Sequence, residues 1–462
     1  MKIKSSRELA FVAYTRIIQD QAYSNLVLNQ LLGKTDLLAQ DKALASRITY
    51  GTLQWQGLID YYLKTLSHRP LSKLSNKALF LLRMGAYQIL FLDRVPPSAS
   101  VNETVKVAHR RTHKGIANFV NGILRNLIRK KDQILLPSRD QDLLNYLSVK
   151  YSHPYWMVKL WYDKYGLDKT ISIMDQNNST PEEAIRVNKL LTSLENLKNE
   201  LEMTGIQSRL SSKIDDALLV DNLGDLNNNT LFNCGYFQVQ DINSMVVSHL
   251  CDPQQGDNII DLCSAPGSKT THLVQLIDGQ GSILAVDIHE HRLKLVKEAC
   301  RRLQVNNVNV KQADGTKLIS RDQQENNKQL KGQFDLCLID APCSGLGTLR
   351  KRPELKWTIS EQDLNSLSTL QGKLLKAGSQ LVKPGGTLVY STCTINPQEN
   401  EDQINDFLKN HPDFVMESPR AILKEDTLQG GMILSNNSLQ YFPELNLGDG
   451  FYGARMKKTQ CE

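Results

Sequence analysis

The chain has 462 residues, 40% of them apolar and 23% charged, with a net charge of +6. At roughly 100–200 residues per domain this length predicts more than one domain. No apolar run reaches the ~20 residues of a membrane span. Residues 1–4 are basic, but Arg7, Glu8 and Arg16 follow in an amphipathic pattern rather than a signal-peptide core. The expectation is a cytoplasmic protein with no membrane partner. The 8 cysteines begin only at Cys234 and none is spaced C-x-x-C, so reduced thiols are expected rather than a disulfide framework or a zinc site.

The first part of the chain reads as helices. Ser5 or Ser6 can cap a helix whose apolar residues Leu9, Val12, Ala13, Tyr14, Ile17 and Ile18 keep helical spacing. Further helices are predicted over 41–66, 76–92, 101–111 and 116–130, with a turn at Val95-Pro96-Pro97-Ser98 because proline cannot continue a helix. The last of them turns Val120, Ile123, Leu124 and Leu127 inward and leaves Arg125, Arg129, Lys130 and Lys131 to face out. His109 and His113 are four residues apart, but the arginines between them and the lack of a third ligand read as a solvated face, with no metal expected. Residues 1–139 hold 22 Lys/Arg against 8 Asp/Glu, a balance of +14, and the remainder carries −8. Positive charge concentrated in one domain is what a phosphate-binding module shows.

Residues 138–240 form a transition. An aromatic helical stretch with Tyr155, Trp156, Trp161 and Tyr162 reads as core, although such rings also stack on bases. Strand-like runs at 182–187, 206–210 and 217–220 and a helix over 194–203 suggest a small α+β subdomain. From about residue 240, strands alternate with helices: 258–263, 282–288, 309–313, 334–339, 387–391, a weak one near Phe414, and 452–456. This pattern predicts an open, mainly parallel sheet covered on both faces. Ligands of such sheets bind beyond the carboxyl ends of the strands.

Three features fall at those ends. The first is Asp261-Leu262-Cys263-Ser264-Ala265-Pro266-Gly267-Ser268-Lys269, where small residues and a glycine let a ligand approach the backbone and a following helix offers free N–H groups. It is neither a G-x-G-x-x-G fingerprint nor a Walker loop. Asp287 ends the next strand, 26 residues after Asp261, where an acid typically grips ribose hydroxyls. Asp314 ends the third and can hold an adenine amino group. This arrangement resembles the S-adenosylmethionine site of Rossmann-like methyltransferases. The other two features are Asp340-Ala341-Pro342-Cys343-Ser344-Gly345 and Ser391-Thr392-Cys393. Both cysteines are candidate thiolate nucleophiles, and spacing alone does not rank them.

The strings DLCSAPGSKT, DAPCSGLGTLRKRPELKW, STCTINPQENE, GYFQVQD and DGFYGARMKK together resemble the NOL1/NOP2/Sun group of RNA cytosine-5 methyltransferases, most of all its bacterial 16S rRNA branch of Sun/Fmu type. VNGILRN at 120–126 is similar to the NusB fold, and the resemblance covers nearly the whole chain. It implies a multi-domain architecture: an all-α NusB-like RNA-binding domain (1–137), a small α+β linker subdomain (138–240), and an α/β Rossmann-like class I methyltransferase domain (241–462). It implies S-adenosyl-L-methionine as cofactor, bound by Cys263, Ser264, Ala265, Pro266, Gly267, Ser268, Lys269, Asp287, Asp314 and Asp340. Ser264 and Ser268 depart from the Ala and Gly usual in the family, and slightly altered contacts are expected there.

The implied chemistry explains the cysteines. Cytosine C5 is a poor nucleophile until a thiolate adds to C6. DNA enzymes place that thiolate in the Pro-Cys motif, which would nominate Cys343; in the RNA group Cys393 attacks and Cys343 assists release. Asp340 would hold and protonate the ring near N3, and Lys269 would help orient the base. Arg350, Lys351, Arg352 and Lys356 are expected to clamp flanking phosphates. The implied partner is 16S rRNA, naked or in early assembly, with cytosine 967 as the branch's target, and the protein is expected to be a monomer. The alternatives are the same chemistry on tRNA or another rRNA site, or a NusB-like RNA-binding factor with an inactive methyltransferase fold. Ala-Pro-Cys, standing where exocyclic amino methyltransferases need Asn/Asp-Pro-Pro-Tyr, argues against that class.

Overall fold

The computed structural model describes residues 3–319, 330–444 and 447–460. They form two compact units: the described residues up to Ser179 together with Leu349–Ile359, and Thr180–Thr348 together with those from Ser360 onward.

The first unit is helical. Its helices are Ser6–Gln19, Ser24–Gly33, Ala39–Gln54, Gln56–Leu66, Asn76–Phe91, Pro97–Arg111, Lys114–Lys130, Leu143–Lys150 and Tyr155–Asn177. Ser5 caps the first by accepting from the Glu8 N–H at 3.3 Å, and Leu9, Ala13, Tyr14 and Ile17 are buried. The single helix expected over 41–66 is two, broken at Trp55, whose ring stacks on Phe91. Pro97 does not break the chain after a turn; it is the first residue of a helix, where its missing N–H has no intrahelical partner to lose. The helix Lys114–Lys130 buries Ala117, Val120, Leu124 and Leu127 and exposes Arg125, Arg129 and Lys130. Trp161 is fully buried, as the core reading of the aromatic stretch expects, but Tyr155 and Tyr162 are exposed and depart from it.

The segment Leu349–Ile359 corrects an expectation. Lys356 is 1% exposed, and its ammonium donates to the carbonyls of Gln54 and Ser152, both at 3.3 Å, and to Asn178 Oδ1 at 2.9 Å. Arg350 is also buried, and Trp357 Nε1 donates to the Leu53 carbonyl at 2.5 Å. Lys356 and Arg350 therefore do not clamp phosphates. The segment is built into the helical unit, and burial holds the Lys356 pKa well below its usual value.

The second unit carries two sheets. Strands β1 (Glu183–Val187), β2 (Ser208–Leu210), β3 (Ala217–Val220) and β4 (Phe237–Val239) pair antiparallel in the order β2-β3-β1-β4. Arg186 of β1 is fully buried. Its guanidinium donates to the Ser268 carbonyl at 2.6 Å and to Thr271 Oγ1 at 3.0 Å, and burial lowers its pKa to about 9. Gly235, at φ +82°, turns the chain into β4 so closely that a Cβ would stand 2.0 Å from the Arg302 carbonyl oxygen.

The larger sheet comprises β5 (Asn258–Asp261), β6 (Ser282–Asp287), β7 (Val308–Gln312), β8 (Phe334–Asp340), β9 (Val382–Thr392), β10 (Phe414–Glu417), β11 (Gly431–Ile433), β12 (Leu439–Tyr441) and β13 (Phe451–Lys458). Its order is β11-β12-β13-β9-β8-β5-β6-β7, with β10 beside β13. The five strands β7-β6-β5-β8-β9 are parallel, and β13 runs antiparallel to β9. The chain winds outward from β5 in one direction through β6 and β7 and in the other through β8 and β9. Beyond their carboxyl ends lies the crevice such sheets offer to ligands. The two short strands β11 and β12 escaped the sequence reading. Among the described residues no helix is long and apolar enough to cross a membrane.

Gly235→Ala should destabilise the second unit by roughly 2–4 kcal/mol, since it combines a strained backbone with a backbone clash. Chemical denaturation followed by intrinsic fluorescence reads this directly; an unchanged midpoint would contradict the close approach.

Candidate active site

The cofactor loop is shaped by its neighbours. Ser264 binds β6 twice, donating from its N–H at 2.9 Å and from its hydroxyl at 3.1 Å to the Val286 carbonyl. Its extra oxygen is thus spent on the scaffold. Gly267, at φ +103°, precedes the helix Ser268–Leu276, and Arg292 donates to the Ala265 carbonyl at 3.0 Å from the helix Glu290–Arg302. Lys269, in the first turn of its helix, is 7% exposed and pairs with Asp340 Oδ2 at 2.7 Å. Asp340 Oδ1 accepts from the Ser391 hydroxyl at 2.9 Å. The ends of β5, β8 and β9 are thereby joined through one carboxylate.

The acids surround this loop. Asp287 Oδ1 accepts from the His289 N–H at 2.9 Å, and its other oxygen lies 3.5 Å from Arg292. Asp314 accepts from both the N–H and hydroxyl of Thr316; against the effect of burial, these bonds hold it below the usual carboxylate range. Asp261 is 1% exposed; one oxygen accepts from Thr270 at 2.7 Å and the other is buried without a hydrogen-bond partner. Burial pushes its pKa up to about 7, with the Asp340 charge adding to the rise. Burial also pushes the Cys263 thiol well up, and Asp261, Asp340 and Asp287 add to it. Two of these acids are paired with cations, Asp340 with Lys269 and Asp287 with Arg292.

The two catalytic-candidate cysteines meet. Cys343 Sγ and Cys393 Sγ are 3.3 Å apart, and the Cys393 N–H donates to Cys343 Sγ at 3.3 Å. The Cys343 thiol is pushed well up, chiefly by its hydrogen bond with the Cys393 sulfur and then by burial. The two sulfurs share one contact in which either can donate. Gly347 lets the chain after Cys343 lie against Gly450: Gly450 N–H donates to the Gly347 carbonyl at 2.8 Å, and a Cβ on Gly347 would stand 2.2 Å from the Gly450 oxygen. Phe451 follows, with the Lys269 ammonium 5.1 Å from its ring centre.

One residue of this site was missed by the sequence reading. Glu399 is fully buried and accepts from the Ser344 N–H at 2.9 Å, the Ser344 hydroxyl at 2.5 Å, Gln371 Nε2 at 3.0 Å and Asn396 Nδ2 at 3.1 Å. An acid six residues past a catalytic-candidate cysteine reads from sequence as a polar turn residue; only the fold reveals its burial.

Elsewhere in this unit Asp216, His249 and His272 bring metal-ligand atom types together. The Asp216 carboxylate already bonds both rings, His272 Nε2 at 2.9 Å and His249 Nε2 at 3.2 Å. The cluster ties the loop before β3 to the helices Ile242–Cys251 and Ser268–Leu276.

The Asp261 environment has a pH signature. Its folded pKa of about 7 lies above the ordinary carboxylate value of 3.8, so the folded state holds its proton where the unfolded chain has lost it. That contribution to stability is complete below about pH 4 and is lost as pH rises through 7. Asp261→Asn, which never ionises, should gain on the wild type between pH 4 and 7 and hold a constant difference above. Melting temperatures at half-unit steps test this; a difference independent of pH would contradict it.

Comparison with known proteins places the chain. Family models match for the NusB family over residues 4–129, the RsmF/B-like methyltransferase ferredoxin-like domain over 153–227, and the 16S rRNA methyltransferase RsmB/F over 248–457. A Bacillus subtilis protein described as probable ribosomal RNA small subunit methyltransferase B is 35% identical, over 99% of this chain and 100% of that one. The Cronobacter sakazakii ribosomal RNA small subunit methyltransferase B is 31% identical, over 98% of each chain. A crystal structure described as that of PH0851 superposes with a TM-score of 0.84 at 28% identity, covering 99% of this chain and 100% of that one. With a relative at this identity along its full length, the helical unit, the small sheet and the larger sheet with its two cysteines are those of one family, and the chain belongs to the RsmB/F family of rRNA methyltransferases.

Proposed function

We propose that the protein methylates C5 of a cytosine in 16S rRNA, at position 967, through a covalent adduct with Cys393. The observation that carries this reading is the pair of sulfurs 3.3 Å apart, on strand ends adjoining the Lys269–Asp340 pair. A methyl transfer to oxygen or to an exocyclic amine has no use for two adjacent thiols. Addition to C6 followed by elimination uses both.

S-adenosylmethionine fits the cofactor edge by charge. Its sulfonium and ammonium are cations, and the acidic side chains of Asp287 and Asp340, which already hold Arg292 and Lys269, stand at the strand ends there beside Asp261, one of whose buried oxygens has no hydrogen-bond partner. Asp287 and Asp314 would take the ribose and adenine, and the 263–269 loop the methionine end. The cofactor supplies an electrophilic methyl group. The protein supplies the rest. Cys393 as thiolate adds to C6, and Asp340, paired with Lys269, holds the N3 edge where charge develops. After transfer to C5, a base takes the C5 proton, the C5–H electron pair re-forms the C5=C6 bond, and the C6–S bond breaks with its pair returning to the Cys393 sulfur. Cys343, 3.3 Å from that sulfur, assists its departure.

The target cytosine must leave its stack to reach the sulfur, which loops and bulges permit at low energy. The exposed Arg125, Arg129 and Lys130 of the helical unit offer cations for RNA phosphates, so binding should weaken with salt.

Cys393→Ala should abolish turnover and any covalent complex with RNA carrying 5-fluorocytosine, whereas Cys343→Ala should accumulate an adduct that survives denaturant. Gel shift under denaturing conditions reads both, and the reverse pattern would overturn the assignment. Bisulfite mapping of rRNA from cells with and without the protein should show one 16S cytosine losing its C5 methyl group. Loss at a tRNA or 23S position would overturn the substrate, and no loss anywhere would overturn the chemistry.

A further inference from the structure

The carboxylate of Glu399 has no access to solvent or to a substrate, yet all four of its donors are neutral protein groups at 2.5–3.1 Å. An ionised carboxylate offers about four acceptor positions, so the group is saturated. Burying a polar group is costly unless it is hydrogen-bonded, and here four neighbouring donors hold the carboxylate. Its donors show what it does. Two of them, N–H and hydroxyl, come from Ser344, the residue after Cys343. The Ser344 hydroxyl also lies 2.8 Å from Thr394 Oγ1, the residue after Cys393. Gln371 spans from Glu399 to the Pro342 carbonyl at 2.9 Å, gripping the same loop from its other side. Asn396, the fourth donor, belongs to the Cys393 loop, and the Tyr390 hydroxyl fixes the Glu399 backbone carbonyl at 2.7 Å from within β9.

We propose that Glu399 is the positioning residue of the cysteine pair: its carboxylate clasps the Cys343 loop against the Cys393 loop and so sets the 3.3 Å between the sulfurs. The clasp grips the Cys343 loop by both Ser344 bonds and again through Gln371, and holds the Cys393 loop by the single Asn396 side-chain bond. Loss of the clasp therefore displaces Cys343 more than Cys393, and release of the RNA adduct suffers more than its formation. The second consequence rests on the reading of the cysteines given above; the first does not.

The experiment separates the two. Full-length wild type, Glu399→Ala and Glu399→Gln are treated with oxidised glutathione in the absence of RNA and cofactor. The Cys343 and Cys393 thiols lose two electrons and two protons to the glutathione disulfide, which is reduced to two thiols. The linked tryptic peptides are quantified by mass spectrometry. Glu399→Ala should slow this disulfide at least tenfold. Glu399→Gln keeps the shape and an oxygen toward the Ser344 and Gln371 N–H groups, and should recover most of the wild-type rate. In turnover with unmodified RNA, Glu399→Ala should accumulate adduct and lower kcat more than the rate of fluorocytosine trapping. An unchanged disulfide rate in Glu399→Ala, or a Glu399→Gln as slow as Glu399→Ala, overturns the positioning role. A slowed disulfide with normal adduct release keeps that role and overturns the division of labour between the cysteines instead. Should Glu399→Ala fail to fold, Ser344→Ala, which removes the hydroxyl link between the loops, must slow the disulfide for the proposal to stand.

Discussion

The active edge depends on one register. β8 and β9 are parallel neighbours, and Asp340 stands opposite Ser391. A shift of one residue in that pairing would turn alternate side chains to the other face of the sheet. It would remove the Ser391–Asp340 bond and carry Cys343 away from Cys393. The register is held from both ends. Ala341 N–H bonds the Ser391 carbonyl at 2.8 Å, Gly347 N–H bonds the Cys393 carbonyl at 3.1 Å, and the Glu399 carboxylate closes the space between. Lys269 then reaches Asp340 from the next strand over, so that cofactor loop and cysteine loops share one carboxylate.

Electrostatic strain is concentrated at the same place. Asp261 is buried without full hydrogen bonding, Cys343 and Cys393 crowd two sulfurs together, and Lys269 is nearly inaccessible. Unsatisfied or crowded polar groups destabilise a fold, and they persist where function uses them. Rigid neighbours carry the load: Arg186 is bonded into the cofactor helix from the small sheet, and the Asp216–His249–His272 cluster fastens the same helix from beneath.

Much of this was legible in the sequence because it depends on local pattern. The strand-end motifs around Asp261, Asp340 and Cys393 are short, and a parallel sheet brings strand ends together whatever the intervening chain does. The capping serine at Ser5 and the inward face of the helix Lys114–Lys130 follow from spacing alone. What was not legible depends on burial. Lys356 and Arg350 look like phosphate ligands in a string of four cations, but the chain after Cys343 enters the helical unit, where Lys356 satisfies three oxygens. Glu399 looks like a solvated acid and is the least accessible carboxylate of the site. Pro97 signals a turn and a helix start equally well, and the sequence alone does not choose. Charge and helix-breaking residues are read by type; whether they are inside or outside is a property of the whole fold.

In the proposed reaction the two adjacent thiols are chemically unequal, Cys393 bonding to the base and Cys343 staying unmodified beside it. The most direct measurement is the identity of the sulfur that carries the base. Wild-type protein is trapped on 5-fluorocytosine RNA in the presence of S-adenosylmethionine, digested with trypsin and nuclease, and the nucleotide-bearing residue is sequenced by tandem mass spectrometry. The account predicts the nucleotide on Cys393 with Cys343 unmodified. A nucleotide on Cys343 would contradict it.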